Sequence, residues 1–183
     1  MQRVKAIEKV QERVFWLIGV FAFSFLTALG ARIKIPLPFT PVPITLQVFF
    51  VLFSGAILGK EGGALSQLLY LALGSMGLPF FASGSGALYL SGPTGGYLAG
   101  FVVASYLSGC LIKVDTHPLF IFFSLFISLL VIYLFGILHL SSVFHIGLKR
   151  SIEIGMLPFL GIDIIKILLL LPLINFYYHG RGR

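Results

Sequence analysis

The sequence predicts an all-α integral membrane protein in which residues 1–183 form a single domain of six transmembrane helices. Three observations predict it. Hydrophobic residues make up 58% of the chain and charged residues only 10%, whereas soluble domains carry about a quarter charged residues. Mean hydropathy reaches +1.03. Six apolar runs recur along the chain, separated by proline, glycine or basic residues. There is too little polar side chain to cover a water-facing surface.

A short basic segment, about residues 1–13 with Arg3, Lys5, Lys9 and Arg13, precedes a first span at about 14–31. The basic start, apolar run and Ala28-Leu-Gly-Ala31 have the look of a cleaved signal peptide, but the long leading region and five later spans favour a retained helix. Ser24, Ala28 and Ala31, with Thr27 alongside, form a stripe of small residues. Such a stripe lets helices approach closely, and its spacing leaves open whether it meets the chain's own helices or a partner.

Four prolines within residues 36–43 exclude helix between the first span and the second, at about 44–59. That run reads either as a stiff connector or as a rigid apolar lid with Phe39 near its tip. Thr45 and Gln47, just inside the second span, offer buried hydrogen bonds. Lys60-Glu61 separates the second span from the third, at about 62–78. The string Gly55-Ala-Ile-Leu-Gly59-Lys60-Glu61 is one residue short of a phosphate loop and ends in Glu rather than Ser or Thr. No nucleotide site is expected there.

Residues 77–97 hold no charge but many glycines, hydroxyls and the tyrosines Tyr89 and Tyr97. A solvated loop would carry Lys, Glu or Asp, so this one is expected to fold back into the protein and bring backbone groups to a ligand. Thr94-Gly-Gly-Tyr97 opens the fourth span, about 94–112, with a helix N-terminus able to receive an anion. The fifth span, about 118–140, has no ionised residue and six Phe and Tyr, read as lipid-facing or interfacial anchors.

The sixth span, about 157–178, contains Asp163 and Lys166 on one helical face. Ionised groups in hydrocarbon cost several kcal/mol and face a cavity, a partner or each other. This pair reads either as a structural tie between helices or as the polar end of a ligand site. With aromatic walls and neutral hydrogen-bonding groups, it suits a small, flat, partly polar molecule carrying a carboxylate.

Charge distribution orients the chain. With both termini cytoplasmic, that side holds Arg3, Lys5, Lys9, Arg13, Lys60, Lys113, Arg181 and Arg183, against Arg32, Lys34, Lys149 and Arg150 outside. Basic residues at span ends explain the net charge of +7 through anionic headgroups, without nucleic acid. The lone Cys110 forms no internal disulfide, and the four histidines show no metal-ligand spacing. Three function classes remain: a binding and transport subunit, a stand-alone transporter of a small solute, and an intramembrane enzyme using Asp163. The enzyme lacks a second acid, a metal site and an activated nucleophile. The stand-alone transporter would call for charges or inverted repeats across several spans.

Thr40-Pro-Val-Pro-Ile-Thr-Leu-Gln47, Gly77-Leu-Pro-Phe-Phe-Ala, Gly92-Pro-Thr-Gly-Gly-Tyr-Leu98 and Gly161-Ile-Asp163-Ile-Ile-Lys166 together resemble the BioY family. These are the biotin-binding substrate-capture (S) components of energy-coupling factor (ECF) transporters. The resemblance implies a six-helix S component in the cell membrane, with no cofactor and biotin as its transported ligand. Its partners would be a transmembrane coupling (T) protein and two ABC-type ATPases, which would supply ATP hydrolysis. A stand-alone transporter for biotin or another small carboxylated solute is the alternative. By motif, Asp163 and Lys166 match the family pair that contacts the ureido ring. Ser83 stands where the family commonly has an Asn contact. Gln47 is read as a further polar contact, and Tyr89 and Tyr97 as pocket walls. The stripe Ser24, Ala28 and Ala31 matches the family's Ala-x-x-x-Ala surface for the coupling protein, with Ser24 replacing one alanine.

Overall fold

The computed structural model describes residues 2–112 and 117–180. Lys113, Arg181 and Arg183, used above for orientation, lie outside the described residues, as do the side chains of Arg3 and Lys5. In chain order the elements are α1 (Gln2–Arg32), β1 (Lys34–Ile35), β2 (Ile44–Thr45), α2 (Gln47–Ser75), a 3₁₀ turn (Ala87–Ser91), α3 (Gly95–Ile112), α4 (Pro118–Phe144), α5 (Leu148–Gly155) and α6 (Leu157–His179). Lys9–Arg32, Gln47–Ser75, Gly95–Ile112, Pro118–Phe144 and Leu157–His179 are long and apolar enough to cross a membrane.

The element α2 is a folded hairpin rather than a straight rod. In a continuous helix, the 23 residues between Gln47 and Tyr70 would separate them by roughly 35 Å. Instead the Gln47 Nε2 donates to the Tyr70 hydroxyl at 2.6 Å. The reversal occurs at Gly59, whose φ of 74° and ψ of 177° are non-helical and open essentially to glycine alone. Two antiparallel limbs result, at 47–58 and 60–75. They correspond to the second and third spans expected from sequence, and the string that resembles a phosphate loop is their turn. Close approach needs glycine at the crossing: a Cβ on Gly63 would lie 2.6 Å from the Gly55 Cα, and one on Gly55 only 2.0 Å from the Ser105 carbonyl of α3.

Breaking the helix at Gly59 leaves carbonyls at the end of the first limb without their usual donors. Tyr178 and Tyr177 of α6 donate hydroxyls to Ala56 O at 2.9 Å and Ile57 O at 3.3 Å. The hairpin and α6 are thereby tied at the end opposite the proline loop.

Three departures from the sequence reading have physical causes. First, α1 begins at Gln2, because the Gln-, Glu-, Lys- and Arg-rich leader carries the helix beyond the apolar span. Second, the eight-residue α5 was not foreseen, since it is too short and too polar to register as a span. Third, the small-residue stripe of α1 faces inward. Ser24, Thr27 and Ala31 are fully buried and Ala28 nearly so, in a chain without partners. The expected partner surface therefore packs against α2. The Gln67 Nε2 of the second limb donates to Thr27, Ser54 and Ser66 hydroxyls at 3.1–3.3 Å. Each of those hydroxyls already donates to a carbonyl of its own helix, so each can accept from an amide N–H. The outward face of α1 carries Phe15, Ile18, Phe21, Phe25 and Leu29 instead.

Because nothing lies within 4 Å of a Cβ built on Gly59, a Gly59→Ala variant tests backbone conformation alone. It is expected to lose about 1–3 kcal/mol of stability, read as a lower thermal midpoint in detergent.

Candidate ligand-binding site

Between the proline ribbon, the 77–94 loop and the starts of α3 and α6 lies a recess with apolar walls and one polar end. The polar end is built on α6. Asp163 and Lys166, 3% and 6% exposed, sit one turn apart, so the Lys166 Nζ reaches the Asp163 Oδ1 at 2.5 Å. The same Nζ donates to the Thr45 carbonyl of β2 at 2.6 Å. From α4, the buried Tyr133 hydroxyl donates to the Asp163 Oδ2, also at 2.6 Å. One carboxylate thus joins two helices, and one ammonium ties them to the ribbon.

This set has unused capacity. A carboxylate offers about four lone-pair positions and an ammonium three N–H donors, of which two on each group are engaged here. The ion pair carries no net charge, so it suits a neutral ligand that both donates and accepts.

The walls come from every neighbouring element. Val42, Pro43 and Ile44 of the ribbon face Ala82 and Tyr89 of the second loop, while Thr94, Tyr97, Leu98 and Phe101 line the α3 side. Ile132 and Phe159 close the remainder. The ribbon's register, Lys34 opposite Thr45 and Ile35 opposite Ile44, sets how the proline loop returns. Its tip residue Phe39 is 58% exposed, so the returning leg rather than the tip forms the wall. Two cations pin the second loop to the end of α1 and the ribbon. Arg32 donates to Pro79 O, and the Lys34 Nζ donates to Ala82 O at 2.7 Å and the Ser83 Oγ at 3.2 Å. As its uncharged composition implied, this loop folds inward, burying Phe80, Phe81 and Ala82.

The other sequence-selected residues divide. Gln47 lines the recess, with its Oε1 accepting from the Thr45 hydroxyl at 3.1 Å and its Nε2 directed at Tyr70. Tyr89 lines it while stacked on Phe81, with ring centroids 4.9 Å apart. Tyr97 lines it through its ring, the hydroxyl donating to Gly155 O at 2.8 Å. Ser83 is outside: it is exposed and faces Lys34, while its neighbour Ala82 occupies the wall. Ala82 and Ser83 are the two residues between the bridged Phe81 and Gly84, and the first is buried while the second is exposed.

Tyr133 is the residue that sequence reasoning missed, having placed the fifth-span aromatics against lipid. A signal did exist. Ser124, Ser128 and Gly136 recur at helical spacing among Leu125, Leu129 and Ile132, and all are buried. That stripe marks the inward face of α4, and Tyr133 lies on it.

Comparison with known proteins places the chain. A model of the BioY family matches residues 4–179. The chain is 41% identical over 152 residues to the biotin transporter BioY of Thermotoga maritima, covering 82% of this chain and 88% of that protein. It is 39% identical to the probable biotin transporter BioY of Pyrococcus horikoshii, covering 80% and 86%. Its structure superposes on the crystal structure of the S-component for biotin from an ECF-type ABC transporter with a TM-score of 0.85. That match has 25% identity and covers 94% of each chain.

Removing one partner of the buried pair should cost more than removing both. Lys166→Met is expected to lose about 3–5 kcal/mol of stability, and Asp163→Leu/Lys166→Met to regain most of that loss. Tyr133→Phe should cost about 1–3 kcal/mol. Unfolding of the three variants in one detergent checks the order.

Proposed function

We infer what this protein does from one premise: the chain belongs to the BioY family. It is the biotin-capture subunit, the S component, of an ECF-type uptake transporter, a multi-pass membrane protein rather than an enzyme. The observation that carries the mechanism is the opposed pair at the end of an apolar recess, with Asp163 and Lys166 buried and 2.5 Å apart.

Biotin's cyclic urea has two N–H donors and one carbonyl acceptor, the complement of a carboxylate beside an ammonium. In this reading the ureido ring enters the polar end. Asp163 accepts its N–H groups, and the third N–H of Lys166 donates to its carbonyl. Tyr133 and the Thr45 carbonyl hold the two ions in place, which lowers the ordering cost of binding. The sulfur-containing ring lies against Tyr89, Tyr97, Phe101 and Ile132. Thr94, at the N-terminal end of α3, stands where the ligand's carboxylate can meet the positive end of a helix.

Release into the cell is assigned to partners: a transmembrane coupling protein and two ATPases. Both chain ends face the cytoplasm and the recess opens outward, an orientation supported by the larger number of basic residues at the chain ends and the Gly59 turn. Capture itself needs no nucleotide.

Isothermal calorimetry on the purified chain is expected to show tight biotin binding without ATP. Asp163→Asn should weaken it by about 1–3 kcal/mol, the worth of a charge-assisted hydrogen bond. Binding of thiamine or riboflavin with no heat from biotin would overturn the assignment.

A further inference from the structure

The short helix α5 joins the recess-side ends of α4 and α6. At about 100° per residue its side chains fall into three sectors. Ser151 and Gly155 are buried against the protein. Leu148 and Ile152, 55% and 38% exposed, project about 60° away from that face. Lys149, Arg150 and Glu153 occupy the far side. A helix on a water-soluble surface would bury its apolar residues against the protein and expose only the polar ones. Here a second apolar stripe points sideways, and exposed Val143 and Phe144 at the end of α4 and Leu157 at the start of α6 flank it in the chain. Exposed apolar residues thus run from the end of one span through α5 to the start of the next.

The cations on the third sector also need a partner. Four basic residues lie at the recess end, the end that orientation by charge disfavours for them. Arg32 and Lys34 are directed at the loop carbonyls of Pro79 and Ala82. Lys149 makes no hydrogen bond or ion pair among the described residues, and Arg150, with a side chain 63% exposed, meets only Glu153 at 3.0 Å. An exposed pair of that kind is weak and leaves most guanidinium N–H groups available. Phosphate is what lies just above the acyl boundary, within reach of such cations.

We propose that α5 lies in the membrane–water interface of the recess-side leaflet, with Leu148 and Ile152 in the acyl boundary and an anionic phospholipid headgroup seated on Lys149 and Arg150. This assignment stands apart from the identity of the transported ligand. It does reach the recess physically, because α5 ends at Gly155, whose carbonyl receives the Tyr97 hydroxyl at 2.8 Å.

The test uses the full chain in lipid nanodiscs, with Cys110→Ala and Leu148→Cys carrying an environment-sensitive fluorophore. Lipids brominated high on the acyl chain should quench the probe, and aqueous iodide should not. Brominated phosphatidylglycerol should quench in preference to brominated phosphatidylcholine, by about fivefold for each cation engaged. That preference should vanish in K149Q/R150Q and persist in the charge-preserving K149R/R150K. Ready iodide quenching, equal quenching by the two lipids, or a preference that survives in K149Q/R150Q overturns the proposal.

Discussion

A lysine ammonium and an aspartate carboxylate held 2.5 Å apart inside a membrane domain constrain everything around them. Neither ion is tolerable alone in a medium of low dielectric, and their attraction offsets desolvation only when further hydrogen bonds support each ion. The chain supplies two partners to each ion, from three directions, and leaves the remaining capacity for a ligand. Lys166 follows Asp163 by one helical turn, Tyr133 reaches in from α4, and the ribbon turns its Thr45 carbonyl toward the ammonium. Helix rotation, ribbon register and the lean of α6 on α4 are consequently coupled. The site is the place where these elements are locked together.

The same requirement, that polar groups in hydrocarbon find partners within the protein, shapes the rest of the bundle. The broken backbone at Gly59 is accepted because α6 returns two tyrosine hydroxyls to the exposed carbonyls. The Gln67 amide is accepted because three hydroxyls on α1 and α2 turn their lone pairs toward it. Three buried atoms among the described residues stand outside this rule: Ser24 Oγ, Gln67 Oε1 and Asn175 Oδ1. The first two belong to elements that meet at the Gln67 cluster, which makes that crossing the least completely paired part of the core.

The recess inherits its shape from loops that are not loops in the usual sense. Prolines hold one leg of the ribbon extended, and Arg32 and Lys34 clamp the uncharged glycine-rich segment against it. Aromatic stacking of Tyr89 on Phe81, and of Phe81 against Tyr70, gives this wall the packing of a core. A binding surface made this way is largely formed before any ligand arrives, which keeps the ordering cost of capture low.

Composition alone determined that the chain lives in a membrane, and the apolar runs marked six helical segments, two of which are the limbs of the α2 hairpin. Helical spacing placed Asp163 and Lys166 on one face, and the lack of charge in residues 77–97 marked a segment that folds inward. All of these follow from local chemistry, because a residue's cost in lipid and its angle on a helix depend on near neighbours in the chain. What only the tertiary structure decided concerns which face meets which. The Ser24, Ala28 and Ala31 stripe suits any close helix, and just the packing of α1 on α2 turns it inward. Ser83 and Ala82 differ by one position in a turn, and only the folded turn shows which enters the wall. Tyr133 acquires its role from the rotation of α4 against α6, and Thr45 contributes a backbone carbonyl, which no side-chain pattern can announce. Periodicity reports the faces of each element, but the pairing of faces arises from many weak contacts made at once by residues far apart in the chain.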